Sequence, residues 1–441
     1  MILRTFYCPR LRGWPALMLF PLVLLAGCAS PTRVNDLQAG SDRPLGSLGN
    51  ATAGVPDGAG NSWIIASERY PLSPEQRATT DPTIYLRNLD SRIDVLSRRA
   101  AEHDDASAAA SLALALLQRA QLIGRSDAVG EAHRWAEQAV AWAPGLPLAW
   151  RALAASLAAV HQFDQATAAL DKAAQLGVAE SELAPMRRDI AVGLGRYDEL
   201  RAELGQADRP VADFHALAHR ADLLMLQGDL RGASLWYRSA QDFYHDVDPL
   251  PLAWLYVQQG IALLRFEQVE EARRFFQAAY DRLPMYYLAA EHLAECEALL
   301  GNLDRAREIY LQVIEQTGSP EFMAALAELE NIAGRAADAE RWQSAAARGF
   351  ERRAADNEAA FAQHAAEFWL SIGKAEQAVD LARHNLLRRN DMASLLLGAN
   401  AEQAVGNWKR TCALIRQIEQ TGLQPPELAQ IDQARRRCKD Q

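Results

Sequence analysis

Three groups of side chains in this 441-residue chain have the types and spacing to do chemistry. Glu291, His292 and Glu295 lie within one helical turn and a half, and on a helix the two glutamates at i and i+4 share a face. Two carboxylates and an imidazole so placed could ligate a metal. No second histidine or cysteine is spaced to complete the set, so the sequence favours plain helix surface over a metal site. His215 and His219 repeat the i, i+4 spacing with Asp222 nearby, a pair able to titrate near neutral pH. The third group is the cysteines: Cys8, Cys28, Cys296, Cys412 and Cys438. There is no Gly-rich phosphate loop, His-Glu-x-x-His, Cys-x-x-Cys or Gly-x-Ser-x-Gly. The sequence therefore implies no catalytic residue, no cofactor and no enzyme.

Cys28 stands at the end of a leader. Arg4, Arg10 and Arg12 precede an uncharged, mostly apolar run from Trp14 to Gly27. That run is short of the roughly 20 residues a membrane-spanning helix needs, which points to a cleaved signal over 1–27. Its end, Leu25-Ala26-Gly27-Cys28, resembles the lipobox of bacterial lipoproteins. The resemblance implies that Cys28 becomes the acylated first residue; the other reading is an ordinary signal peptide with an incidental cysteine. Ala29 follows where an aspartate would imply inner-membrane retention, so the resemblance implies an outer-membrane anchor with the body in the periplasm. Two or three acyl chains, such as palmitate, hold a protein where one is marginal.

The formal charge of −10 argues against nucleic acid and against binding to anionic lipid surfaces. Residues 28–80 read as a linker, punctuated by glycine and proline, with Trp63, Ile64 and Ile65 as a short apolar patch. Asp81-Pro82 is a good helix start. Leu86, Leu89, Ile93, Leu96 and Ala100 then form one stripe, which predicts a capping helix over 81–105, with a dimer seam as the alternative. In an oxidising compartment a disulfide is allowed. With a turn at Gly422 to Pro426, Cys412 and Cys438 come level across an antiparallel helix pair. The spacing favours a bond there over two unpaired thiols; Cys296, beside Leu293 and Leu299, reads as an inert core residue.

Between these ends a landmark recurs. Gly195, Gly228, Gly301, Gly334, Gly373 and Gly406, with His161 and Glu267 at equivalent points, are spaced 34, 33, 39, 34, 33, 39 and 33 residues apart. Five residues after each comes Ala166, Leu200, Ala233, Ala272, Ala306, Ala339, Ala378 or Thr411. Such a period predicts stacked helix pairs that bury each other's faces. The 39-residue intervals predict insertions near Phe243–Pro251 and Gly349–Asn357.

The chain over 106–425 resembles the tetratricopeptide repeat family. Trp150, Leu153, Ala154, Leu157, Ala166, Leu170 and Ala173 match that family's pattern of bulky and small positions, as do Gly260, Leu263, Ala272, Phe276, Ala279 and Pro284. Ala221, Leu224, Gly228, Ala233, Tyr237 and Ala240 form another set; Leu293, Ala294, Gly301, Ala306 and Tyr310 another. The resemblance implies an all-α solenoid of eight or nine helix–turn–helix repeats, with 426–441 as a C-terminal capping helix. Pro185, Leu200 and Thr411 depart from the pattern.

In that family the first helix of each pair lines a concave groove. Carried over, the groove would show His215, Ala218, Asp222 and Met225, then Trp254, Val257, Ile261 and Leu264. Next come Leu288, Glu291, Glu295 and Ala298, then Glu321, Ala324, Glu328 and Asn331, with Arg265 and His292 at the edge. The alternative is that Trp254, Ile261 and Leu264 are buried against the neighbouring repeat. An apolar strip beside an acidic one suits a partner segment with apolar anchors and some positive charge. By fold-level analogy, the function expected is a non-enzymatic lipoprotein scaffold. It would bind envelope proteins in envelope assembly, secretion or pilus biogenesis, or polysaccharide export. The alternative is a glycan- or peptidoglycan-associated binding module of an envelope export system.

Overall fold

The computed structural model describes residues 70–204 and 213–439. The leader, Cys28, most of the linker and the Trp63–Ile65 patch lie outside those residues. Every regular element among the described residues is helical, and no strand occurs there. The N-terminal part holds α1 (Pro82–His103), α2 (Ala106–Ile123), α3 (Asp127–Trp142), α4 (Pro147–Ala159), α5 (Phe163–Gln175), α6 (Glu180–Gly193) and α7 (Tyr197–Leu204). The middle holds α8 (Phe214–Leu226), α9 (Leu230–Phe243), α10 (Pro249–Arg265), α11 (Val269–Arg282), α12 (Tyr287–Leu299) and α13 (Leu303–Thr317). Then come α14 (Pro320–Ile332), α15 (Ala336–Ser371), α16 (Ala375–Leu386), α17 (Met392–Ala404), α18 (Trp408–Gln420), a 3₁₀ turn (Pro426–Ile431) and α19 (Asp432–Lys439). Consecutive helices pack in pairs, α2 on α3, α4 on α5, α8 on α9, α10 on α11, α12 on α13 and α17 on α18. This is the arrangement of a helical repeat array.

One turn, repeated, builds the pairs. All eight landmark residues have positive φ, from His161 at 59° and Glu267 at 61° to Gly301 at 86°. At each, the amide of the next residue donates to the carbonyl five residues before it, as in Arg196 N–H to Ala191 O (2.8 Å) and Asn407 N–H to Glu402 O (2.9 Å). The landmark's own amide closes the inner bond, as in Gly228 N–H to Met225 O (3.0 Å). This paired bonding satisfies the last carbonyls of the first helix and reverses the chain. Only glycine adopts that backbone without steric cost, so His161 and Glu267 carry strain that the other six turns avoid. Five residues on, Ala166, Ala233, Ala272, Ala306, Ala378 and Thr411 are buried, and the absence of bulk there lets the two helices approach. Leu200 is buried as well, while Ala339 is only half-buried.

The first long interval is a loop before α10, whose N-terminus Asp248 caps by accepting from Leu250 N–H (2.9 Å). In the second, the extra residues near 349–357 are carried within a helix: α15 runs unbroken for 36 residues. Its sequence has one glycine and no proline, so nothing stops the hydrogen-bond ladder. Gly349 marks close packing instead, since a Cβ there would sit 2.7 Å from Pro320.

The array then returns on itself. Asn390 N–H donates to Gly193 O (3.1 Å) and Gln424 N–H to Leu226 O (3.0 Å). Each bond joins a loop between two pairs to a turn within a pair nearly 200 residues earlier. Met392 N–H donates to the buried Tyr197 hydroxyl (2.8 Å). At the other end, Gln316 Nε2 donates to Ile123 O (3.2 Å), and Arg282 donates to the carbonyls of Arg77 (2.8 Å) and Leu72 (3.0 Å). The largest apolar core accordingly draws on Tyr70, the middle helices and residues as late as Ala434. A Cys412–Cys438 disulfide, Cα to Cα 5.4 Å, ties α19 to α18. One described helix, α2, is long and apolar enough to cross a membrane; it is mostly buried among its neighbours.

Candidate functional site

The residues assigned to the groove face the interior of this closed array. The middle first helices show why. α10 carries Leu252, Ala253, Trp254, Leu255, Tyr256 and Val257 without a polar face, and α12 is apolar or small at most positions around the glutamates. A helix apolar all round is buried all round. Trp254 is 2% exposed, and it stands 6.0 Å, ring to ring, from Phe214 and from His215. Ile261 is buried beside it in the core. The solvent-facing groove expected at these positions is therefore filled by the chain's own packing. Glu328, on α14, is half-buried and stands apart from the others.

Arg265 is 7% exposed and forms a two-point ion pair with Glu427 of the 3₁₀ turn, one arm at 2.7 Å. Glu427 thus closes the C-terminal end over the middle of the array. Asp222, near Arg265, accepts from the Tyr237 hydroxyl. Burial pushes its carboxyl up to about 6, with the His219 charge and the Tyr237 bond opposing that shift. His219 bonds Asp189 (2.7 Å) and its own helix carbonyl at His215 (2.7 Å). Burial alone would lower His219, but Asp189, with Asp222 adding to it, more than reverses that and raises it. His215 is pushed down to about 4, chiefly by burial. Arg188 bridges Glu203 (2.8 Å) and Asp213 (3.0 Å).

The second cluster lies on α12. Glu291, His292 and Glu295 are not surface groups: the first two are 1% exposed and the third 7%. His292 Nδ1 stands 3.1 Å from Glu295 Oε2 and 3.3 Å from Glu291 Oε2. The imidazole stacks on Phe276 at 4.9 Å, fixing its plane. Burial pushes Glu291 up to about 7, partly offset by the His292 charge and reinforced by Glu295. For His292, burial acts downward and the two carboxylates more than reverse it. One donor atom from each of the three falls within 4.8 Å of the others, so these residues could hold a metal ion. Cys296, on the same helix, is buried and free, and burial raises its thiol well above the ordinary range.

Of the nine groove residues, the structure brings Glu291, His292 and Glu295 together and sets His215 against Trp254. It gives Arg265 a partner that sequence reasoning missed, Glu427, and adds Asp189, Arg188, Tyr237 and Tyr310. No local pattern could have found Glu427, which lies 162 residues from Arg265. No family model matches the chain, and no curated protein matches it.

Proposed function

We propose that this chain is a lipid-anchored, non-enzymatic scaffold of tetratricopeptide-type repeats that binds proteins of a bacterial envelope. The observation that carries the repeat reading is the turn shared by all eight landmarks, in register with the position five residues on. The lipobox-like Leu25-Ala26-Gly27-Cys28 supports attachment through Cys28 and a place on the outer membrane facing the periplasm. Stacked helix pairs offer a large, stiff surface at low entropic cost, which suits assembly, secretion or polysaccharide export. Because Trp254, Arg265 and Glu295 are buried, we place the partner on the outer surface, where Leu235 and Phe243 of α9 and Val247 of the loop after it are exposed. No exposed aromatic platform for sugar rings occurs at Trp254, so the glycan-binding alternative ranks second.

The test is crosslinked affinity capture from whole envelopes with the full chain and with Cys28→Ser. A scaffold returns one or more specific envelope proteins, and Cys28→Ser leaves the membrane fraction. Recovery of sacculus alone would replace this reading with the glycan module. Capture of nothing beyond an unrelated lipoprotein control, or turnover of a substrate, would refute the scaffold.

A further inference from the structure

The interior of α12 poses a charge problem. Glu291 and Glu295 are two carboxylates in a nearly dry site, and among the described residues no lysine or arginine pairs with either. Arg273 on α11 pairs with Glu297 of α12 (3.5 Å), not with Glu291 or Glu295. His364 on α15 acts on Glu291 electrostatically but bonds Glu367 (3.3 Å). One imidazolium cannot neutralise two carboxylates. Buried charge left uncompensated is costly, so a compensating ion or proton is required.

Unused bonding capacity points to the ion. Glu291 Oε2 is buried without a hydrogen-bond partner. The Tyr310 hydroxyl of α13, fully buried, feels the field of both Glu291 and Glu295 yet bonds neither. Buried polar atoms are seldom left this way. The donor spacing also fits. A tetrahedral ion with bonds of about 2.0–2.1 Å has donor–donor edges of about 3.3–3.4 Å. His292 Nδ1 already stands at 3.1 and 3.3 Å from the two carboxylates. A divalent cation with a neutral imidazole brings the site to zero net charge.

We propose that Glu291 Oε2, His292 Nδ1 and Glu295 Oε2 bind one divalent transition-metal ion, of the zinc type, inside the array beside the Tyr310 hydroxyl. Mixed imidazole and carboxylate donors suit zinc better than magnesium or calcium. The site is closed to solvent, so the ion enters as the chain folds and acts as a structural ion in the buried face of α12. The proposal is independent of the scaffold reading.

The test is unfolding of the full chain with EDTA, then refolding with zinc chloride or without metal. Bound metal is counted after gel filtration. The expected result is one zinc per chain, a higher melting temperature for the zinc-loaded chain, and a tetrahedral visible spectrum on cobalt(II) substitution. Glu291→Gln, His292→Gln and Glu295→Gln should each weaken binding by at least the roughly 100-fold that loss of an outer-shell partner can cost. No retained zinc, or equal retention by all three variants, would overturn the site. Where a variant does not fold, the cobalt spectrum of the unmodified chain decides: a tetrahedral band supports the site and its absence refutes it.

Discussion

Replacing Glu427 by alanine should loosen the C-terminal closure of the array. Glu427 is the ion-pair partner of Arg265, whose side chain is 1% exposed, and it is itself only 10% exposed. Removing one member of a buried pair typically costs about 3–5 kcal/mol, because the survivor keeps its desolvation penalty without its attraction. Asp222 lies close enough to interact with the Arg265 charge, so the expected cost is at the lower end, about 3 kcal/mol. Arg265→Met removes the stranded charge. The double variant Arg265→Met with Glu427→Ala should therefore cost clearly less than the two single losses added together. Arrays can unfold in parts, so a global melt is the weaker readout. The sharper one is exchange of the Gln424 amide, which bonds Leu226 O at 3.0 Å across the closure. Glu427→Ala should speed that exchange by about 100-fold, which corresponds to about 3 kcal/mol, while the Arg196 amide within its own turn is slowed or sped far less. A change below about 0.5 kcal/mol at Gln424, or additive single and double losses, would show that the pair does not hold the closure.

Other outcomes follow from the same contacts. Gly195→Ala and Gly301→Ala share a left-handed backbone, at φ 69° and 86°, and so a common cost of about 1–2 kcal/mol. A Cβ at 195 would also meet Asn390 O at 2.3 Å, whereas none of the neighbours of 301 comes within 4 Å; urea unfolding should show Gly195→Ala the worse of the two, and equal losses would refute the docking of loop on turn. Cys412→Ser with Cys438→Ser opens a loop of sequence separation 26, which the loop-entropy relation values at about 3.5 kcal/mol; amide exchange in α19 should rise accordingly, and unchanged exchange would contradict it. For Asp222, with its folded pKa raised to about 6, the folded state binds more protons than the unfolded between the ordinary carboxylate value and 6. Its contribution is therefore greatest in acid and is lost as pH rises toward 6. Asp222→Asn should then gain on the parent above pH 6, by at most about 3 kcal/mol, and lose that advantage near pH 4 in denaturant titrations. A pH-independent difference would exclude that ionisation as the cause.

The sequence alone determined what is local. The landmark spacing, the small residue five positions later and the Asp81-Pro82 helix start are all rules of one turn or one helix end, set by φ, by missing side-chain bulk and by capping. They appear in the structure at the positions read from the chain. The reach from Cys412 to Cys438 was also legible, because one hairpin of helices fixes it. The continuous α15 was legible in principle: a stretch with a single glycine and no proline gives a helix no reason to stop, and the 39-residue interval gave the extra length without saying that a helix would carry it.

Only the tertiary structure decided which way the concave residues look. In a repeat array a small rotation per repeat accumulates over hundreds of residues into either an open trough or a closed body. No single repeat encodes the sum. Closure decided between the two readings of Trp254 and Ile261 in favour of burial, and it paired Arg265 with Glu427. It also set the α12 carboxylates where bulk water cannot solvate them. Burial, not residue type, turned Glu291, His292 and Glu295 from an ordinary helix face into an enclosed cluster of two carboxylates and an imidazole.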